Sequence, residues 1–300
     1  MKRRDLCYEY KTNILHAVSA GKENPMKNWK YGISAAPAAP NTAPILLTGD
    51  ICDCLRQAAE LGFDAIEYHT RENTAFDYEK ILATMEETGC RISMIVTGRL
   101  FTEGGYSLTS PHPQKERMAV EGMLRYVDMA SRLGAGLVLG WAKGNIRDAE
   151  SREVYFERLT KNLRTVDAAA ARKGVQVNIE VINHYEVDVF LTAAEVSAYL
   201  EENRFTNLRA HLDSFHMQLE EESFTKAIQT AGSRMGYFHL ADSTRWYPGS
   251  GYMDFKEILR ALEEIGYDGY LTVECFPHED HLDTARKALQ YMKFIEQTVF

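Results

Sequence analysis

Three things are scarce in this chain: an excess of positive charge, cysteines that could pair off, and long apolar runs. Lysine and arginine number 34 against 43 aspartates and glutamates, for a formal charge of −9. A protein that neutralises nucleic-acid phosphates needs a basic face, and this balance argues against one. The same field mildly repels anions, so a phosphorylated substrate would need its own basic residues close by. The cysteines (Cys7, Cys52, Cys54, Cys90 and Cys275) are odd in number and scattered. That reads as a reduced, cytoplasmic chain and not as a disulfide framework. Cys52-x-Cys54 falls in the first turns of an expected helix, where neighbours two apart do not share a face, so it is not taken as a metal pair. No apolar run approaches membrane-spanning length. The basic start Met1-Lys2-Arg3-Arg4 leads into the polar Tyr8-Glu9-Tyr10-Lys11-Thr12-Asn13, not into the apolar core of a signal peptide. The expectation is a soluble protein with neither nucleic acid nor membrane as partner.

A Gly-x-Gly-x-x-Gly turn after the first strand is also missing, which leaves a dinucleotide-binding fold without support. What is present is a rhythm. From about residue 29, short apolar runs alternate with longer amphipathic ones, the pattern of repeated strand-helix units on a parallel sheet. Eight strands are expected, at 31–34, 65–69, 91–96, 136–140, 175–180, 208–212, 236–240 and 270–274. Helical spacing of apolar residues fills 51–61, 78–88, 114–133, 151–172, 193–202, 224–231, 255–265 and 282–298. Asp50 is placed to cap the first of these helices, and Gly62, Gly89 and Gly134 to end three of them. Eight strands with eight helices favour closure into a single (β/α)8 TIM barrel over residues 29–300, with residues 1–28 as an N-terminal extension that packs on its outside. The connection Thr97–Pro113, which contains Gly104-Gly105, has the length of an active-site lid or a subunit contact.

In such a barrel, chemistry sits at the C-terminal ends of the strands. Strand five ends in Glu180, strand six in Asp213, strand seven in His239 and strand eight in Glu274. Any one of these alone reads better as a polar residue where a strand meets solvent. Four in succession do not, because charged groups at the edge of a tight core are costly unless paired or bound to metal. Three carboxylates and one imidazole form a hard donor set. It suits one divalent ion, Mn2+ first and Mg2+ or Co2+ after it, with positions left open for substrate oxygens.

The runs Ile179-Glu180-Val181-Ile182-Asn183-His184-Tyr185-Glu186, His211-Leu212-Asp213-Ser214-Phe215-His216-Met217 and His239-Leu240-Ala241-Asp242-Ser243-Thr244-Arg245 resemble the sugar phosphate isomerase/epimerase superfamily of xylose isomerase-like barrels. So do Pro248-Gly249-Ser250-Gly251-Tyr252-Met253-Asp254-Phe255 and Leu271-Thr272-Val273-Glu274. Within it the sequence is most similar to the ketose 3-epimerases, the D-tagatose/D-psicose group. The resemblance is strongest from Gly174 onward and departs at Ser214 and His184, where that group often has threonine and arginine. It implies the same four metal ligands and three substrate contacts, Glu186, His216 and Arg245. It also implies a homodimer or homotetramer acting on a small sugar or sugar phosphate, with the C3 centre of a ketose inverted through an enediolate and Glu180 and Glu274 as the two acid/base groups.

Alternatives remain at this stage. An aldose–ketose isomerase uses the same enediolate, and a dehydratase of the superfamily uses the same metal. A DNA-repair endonuclease on this barrel is opposed by the acidic charge, and a non-catalytic sugar-binding barrel by the two flanking glutamates. Trp141, Trp246 and Tyr247 are candidate walls for a sugar. Arg71, Arg99, Lys143, Gly249 and Gly251 are the groups that a phosphate would use, although they form no recognised motif.

Overall fold

The computed structural model describes residues 28–278 and 280–299. The expected N-terminal extension lies outside them, apart from Asn28. Nine strands pair in parallel throughout: β1 (Lys30–Ala36), β2 (Leu47–Thr48), β3 (Ala65–His69), β4 (Arg91–Val96), β5 (Gly136–Leu139), β6 (Val177–Glu180), β7 (Leu208–Asp213), β8 (Met235–Leu240) and β9 (Tyr270–Val273). Tyr31 of β1 pairs with Leu271 of β9 and closes the barrel. β2 is a two-residue appendage on β1. Closure requires Gly32, because a Cβ there would stand 2.3 Å from the Thr272 hydroxyl on β9. The strands are almost wholly buried, as expected when helices cover the outside and side chains fill the inside.

The principal helices are α1 (Ile51–Leu61), α2 (Tyr78–Thr88), α3 (Gly98–Thr102), α4 (Pro113–Leu133), α5 (Arg152–Lys173), α6 (Ala193–Glu202), α7 (Ser214–Glu220), α8 (Phe224–Ala231), α9 (Phe255–Glu264) and α10 (His281–Val299). Local chemistry sets their ends. The Asp50 carboxylate accepts from the Cys52 N–H, and Gly62 takes φ 91° at the other end of α1.

The eight expected strands and eight expected helices are all present, with ends shifted by no more than two residues. The differences lie in the loops. The stretch expected as an active-site lid or a subunit contact starts with α3 and then runs buried through Ser107–Ser110. There the Asn162 amide donates to the Leu108 carbonyl at 2.7 Å, and the Leu108 N–H donates to the Ala142 carbonyl at 2.8 Å. This segment is part of the packed upper wall.

Candidate active site

Side chains alternate along a strand, so residues two apart share a face. Asn178 and Glu180 on β6, His211 and Asp213 on β7, and Tyr237 and His239 on β8 therefore stack in two layers, and Thr272 with Glu274 just past β9 continues them. All eight are buried. The upper layer is the set expected from the strand ends. Glu180, Asp213, His239 and Glu274 bring one ligand atom each to within 4.8 Å of one another. His239 Nδ1 lies 3.4 Å from Glu274 Oε2, 3.5 Å from Asp213 Oδ2 and 3.8 Å from Glu180 Oε1. That nitrogen is buried and makes no hydrogen bond. A buried, unpartnered imidazole nitrogen facing three carboxylates is what a cation between them would satisfy, so these four residues fit a divalent metal.

The electrostatics agree. Burial and the neighbouring Glu274 and Asp213 charges push the Glu180 carboxyl up to about 8. Burial opposes ionisation of Asp213 as well, but the Arg245 guanidinium holds it well below its ordinary range. For His239, burial is outweighed by Glu67 and Glu274, which raise the imidazole well above its usual value. Without a metal, this cage retains protons that a divalent ion would displace.

The three residues carried over as substrate contacts also converge on the site. Arg245 donates to Asp213 Oδ2 at 2.6 Å and to Glu274 Oε2. It does so from a left-handed backbone, φ 63°, which costs roughly 1–3 kcal/mol in a non-glycine residue. The turn that imposes this is held by Arg245 N–H to Asp242 O and Asp242 N–H to Trp246 O, both 2.8 Å, and by Phe276 N–H to Arg245 O at 2.8 Å. His216, on α7, takes a bond from the Asn183 amide to Nδ1 at 2.7 Å. The proton thus sits on Nε2, 4.0 Å from Asp213 Oδ2. Burial lowers this imidazole to about 3, so it is a neutral donor. Asn183 also donates to Glu186 Oε1 at 3.2 Å, tying two of the three contacts together. Burial raises the Glu186 carboxyl, against the pull of Arg245.

Four participants were not found by reading the last four strand ends. Glu67 on β3 is fully buried. One of its oxygens meets His239 Nε2 at 2.7 Å and the other meets His69 Nε2 at 3.1 Å. It therefore orients the imidazole and leaves Nδ1 facing the three carboxylates. The signal was present, since Glu67 and His69 sit two apart at the end of β3. His211 lies beneath the cage, edge-on to His239 at 4.1 Å between ring centres, and neither of its ring nitrogens is hydrogen bonded. Lys143, by sequence a candidate for a phosphate, is completely buried.

The other phosphate candidates do not gather. Arg71 is committed to Glu72 at 2.9 Å and Glu103 at 3.6 Å, and Arg99 to Glu103 at 3.1 Å. The Gly249 N–H is taken by Asp242 at 2.8 Å. Trp141 and Trp246 are partly exposed, while Tyr247 packs on the core.

Residues 55–295 match the model of the xylose isomerase-like TIM barrel family. The chain belongs to that family. It is 30% identical over 257 residues to an L-ribulose 3-epimerase of Methylomonas sp. (strain DH-1), covering 79% of this chain and 88% of the relative. It is 26% identical over 255 residues to a 3-dehydro-D-guloside 4-epimerase of Escherichia coli (strain K12), covering 81% of this chain and 94% of that one. The crystal structure of a Methylomonas sp. D-allulose 3-epimerase in complex with D-allulose superposes with a TM-score of 0.75 at 26% identity, over 89% of this chain and 97% of the other. Among the described residues, no helix is long and apolar enough to cross a membrane.

Proposed function

We propose that this protein is a divalent-metal-dependent epimerase that inverts C3 of an unphosphorylated ketose. The observation that carries the reading is the unpartnered His239 Nδ1 facing Glu180, Asp213 and Glu274. Its support is a set of relatives that are themselves epimerases of sugars. These four residues would hold the ion, Mn2+ by the hardness of the donor set. The ion would supply Lewis acidity that polarises the ketose carbonyl and acidifies the adjacent C3 proton. Glu180 and Glu274 come from strands separated by two others, which lets them address opposite faces of that carbon. One removes the proton to give the enediolate, and the other returns a proton from the far side. His216, neutral and fixed as the Nε2–H tautomer, donates to a substrate oxygen, and Glu186 accepts from a hydroxyl. Arg245 balances the charge of Asp213 and Glu274 as protons move. Cytoplasmic location and a homodimer or homotetramer follow from the same reading. The preference for a free sugar rests on the arginines, since Arg71, Arg99 and Arg245 are already bound to carboxylates and Lys143 is left as a single unpaired cation for a phosphate.

The test is incubation of metal-loaded enzyme with free and phosphorylated ketoses in D2O, followed by NMR. Deuterium at C3 with appearance of the C3 epimer is the expected result. Label at C1 or C2 with an aldose product would reassign the chain as an isomerase. Absence of carbon-bound label in every ketose would overturn proton transfer as its chemistry.

A further inference from the structure

Lys143 is the only lysine buried in the interior among the described residues. Folds bury an ammonium when a carboxylate pairs with it, because an unpaired buried charge is heavily penalised. Here no described carboxylate comes within the 4.0 Å of an ion pair. The side chain makes one hydrogen bond, from Nζ to the Gly140 carbonyl at 3.2 Å. An ammonium has three N–H donors, so two are unspent.

Gly140 places this ammonium near the site. A Cβ on that residue would fall 2.6 Å from Glu180 Oε2, so the backbone that receives the ammonium also lies against the Glu180 carboxylate. The charges that act on Lys143 are those of Glu180 and Glu186, and against them burial still lowers the amine to about 8. The main chain around it is fixed from two sides. The Tyr155 hydroxyl, on α5, donates to the Lys143 carbonyl at 3.1 Å, and Thr109 Oγ1 donates to the same oxygen at 3.0 Å. Next along the chain, Gly144 takes φ 78° with the Thr109 hydroxyl occupying the space of a Cβ. A turn this constrained, ending in a dry ammonium with free donors beside two site carboxylates, is a built half of a binding contact.

We propose that Lys143 binds substrate directly, its two free N–H donors holding a hydroxyl oxygen of the ketose on the Glu180–Glu186 side of the site. Arg245 is spent on Asp213 and Glu274, across the site from this contact. The proposal rests on the epimerase reading above. Wild-type enzyme must first show C3 exchange; if it shows none, that reading fails and the role of Lys143 falls with it. Given an active wild type, KM and kcat are measured for the wild type and Lys143→Met on the parent ketose and on a panel of its monodeoxy analogues.

Lys143→Met is expected to raise KM for the parent by about 10–100-fold, the worth of a hydrogen bond to a charged donor. One deoxy analogue should lose as much on the wild type as the substitution costs, and lose little more on the variant. That loss of additivity cannot come from a merely structural lysine. Equal KM in both proteins, or penalties that add for every analogue, would overturn the assignment.

Discussion

From β6 to β9 each strand delivers one carboxylate or imidazole to the rim, Glu274 just past the end of β9, and one polar side chain to the layer below. From β1 to β5 the strands deliver small or apolar residues, with Glu67 and His69 on β3 as the exception. Ala36, Val96 and Leu139 close three of those strands, and Gly140 has no side chain at all. The contrast shows a division of labour. The second half of the barrel supplies the charged groups, while the first half supplies room, a hydrogen bond to the back of His239, and the buried Lys143. Gly140 illustrates it, because the Glu180 carboxylate occupies the space that a side chain there would need.

If that division is right, changes in the second half should remove chemistry and changes in the first should tune it. The largest effect is expected for Glu274→Gln, which keeps the shape of the side chain but removes its basicity. Turnover should fall about 10²–10⁴-fold with the thermal midpoint little changed, as read by epimer formation and by circular dichroism. A variant that retains most of its turnover would dissolve the contrast. Glu67→Gln, across the barrel, should spare the fold and weaken metal affinity by about 10–100-fold, measured with a competing chelator.

The third expectation concerns pH. Unfolded, the His216 imidazole takes up a proton as pH falls through its ordinary 6.5; folded, burial holds it unprotonated to about 3. Unfolding therefore binds protons in that window, and stability must fall as pH drops through it. Urea midpoints at pH 7 and pH 5 should differ more for the wild type than for His216→Gln. The smallest effect is expected for Arg71→Ala. Its guanidinium is spent on Glu72 and Glu103, so KM for a free ketose should stay within about twofold. A larger rise, confined to a phosphorylated ketose, would reopen the choice of substrate.

Much of this was legible in the residue order. The strand-helix rhythm placed the barrel elements because helices repeat near every 3.6 residues and strands every two. The four proposed ligands stood out because each ends an apolar strand. The support for them was harder to see. Glu67 meets His239 across 172 residues of sequence, a relation that only barrel closure creates. Lys143 precedes Gly144 and ends a 3-10 turn, where spacing gives no face, so nothing in the sequence says that it is buried. α7 was missed because Asp213 caps it through the Phe215 N–H, using a residue already assigned to the metal. Arg245 was identified by its place in a motif, whereas the left-handed turn that aims it came only with the fold.

The most direct test of the central claim is a calorimetric titration of metal-free protein with Mn2+ at several pH values, in parallel with Asp213→Asn. The account predicts one ion per chain, protons released on binding as the cage gives up those it holds, affinity that rises with pH below about 8, and binding largely lost in the variant. A wild type that binds no Mn2+, or a variant that binds it as tightly, would contradict the assignment of Glu180, Asp213, His239 and Glu274 as the metal centre.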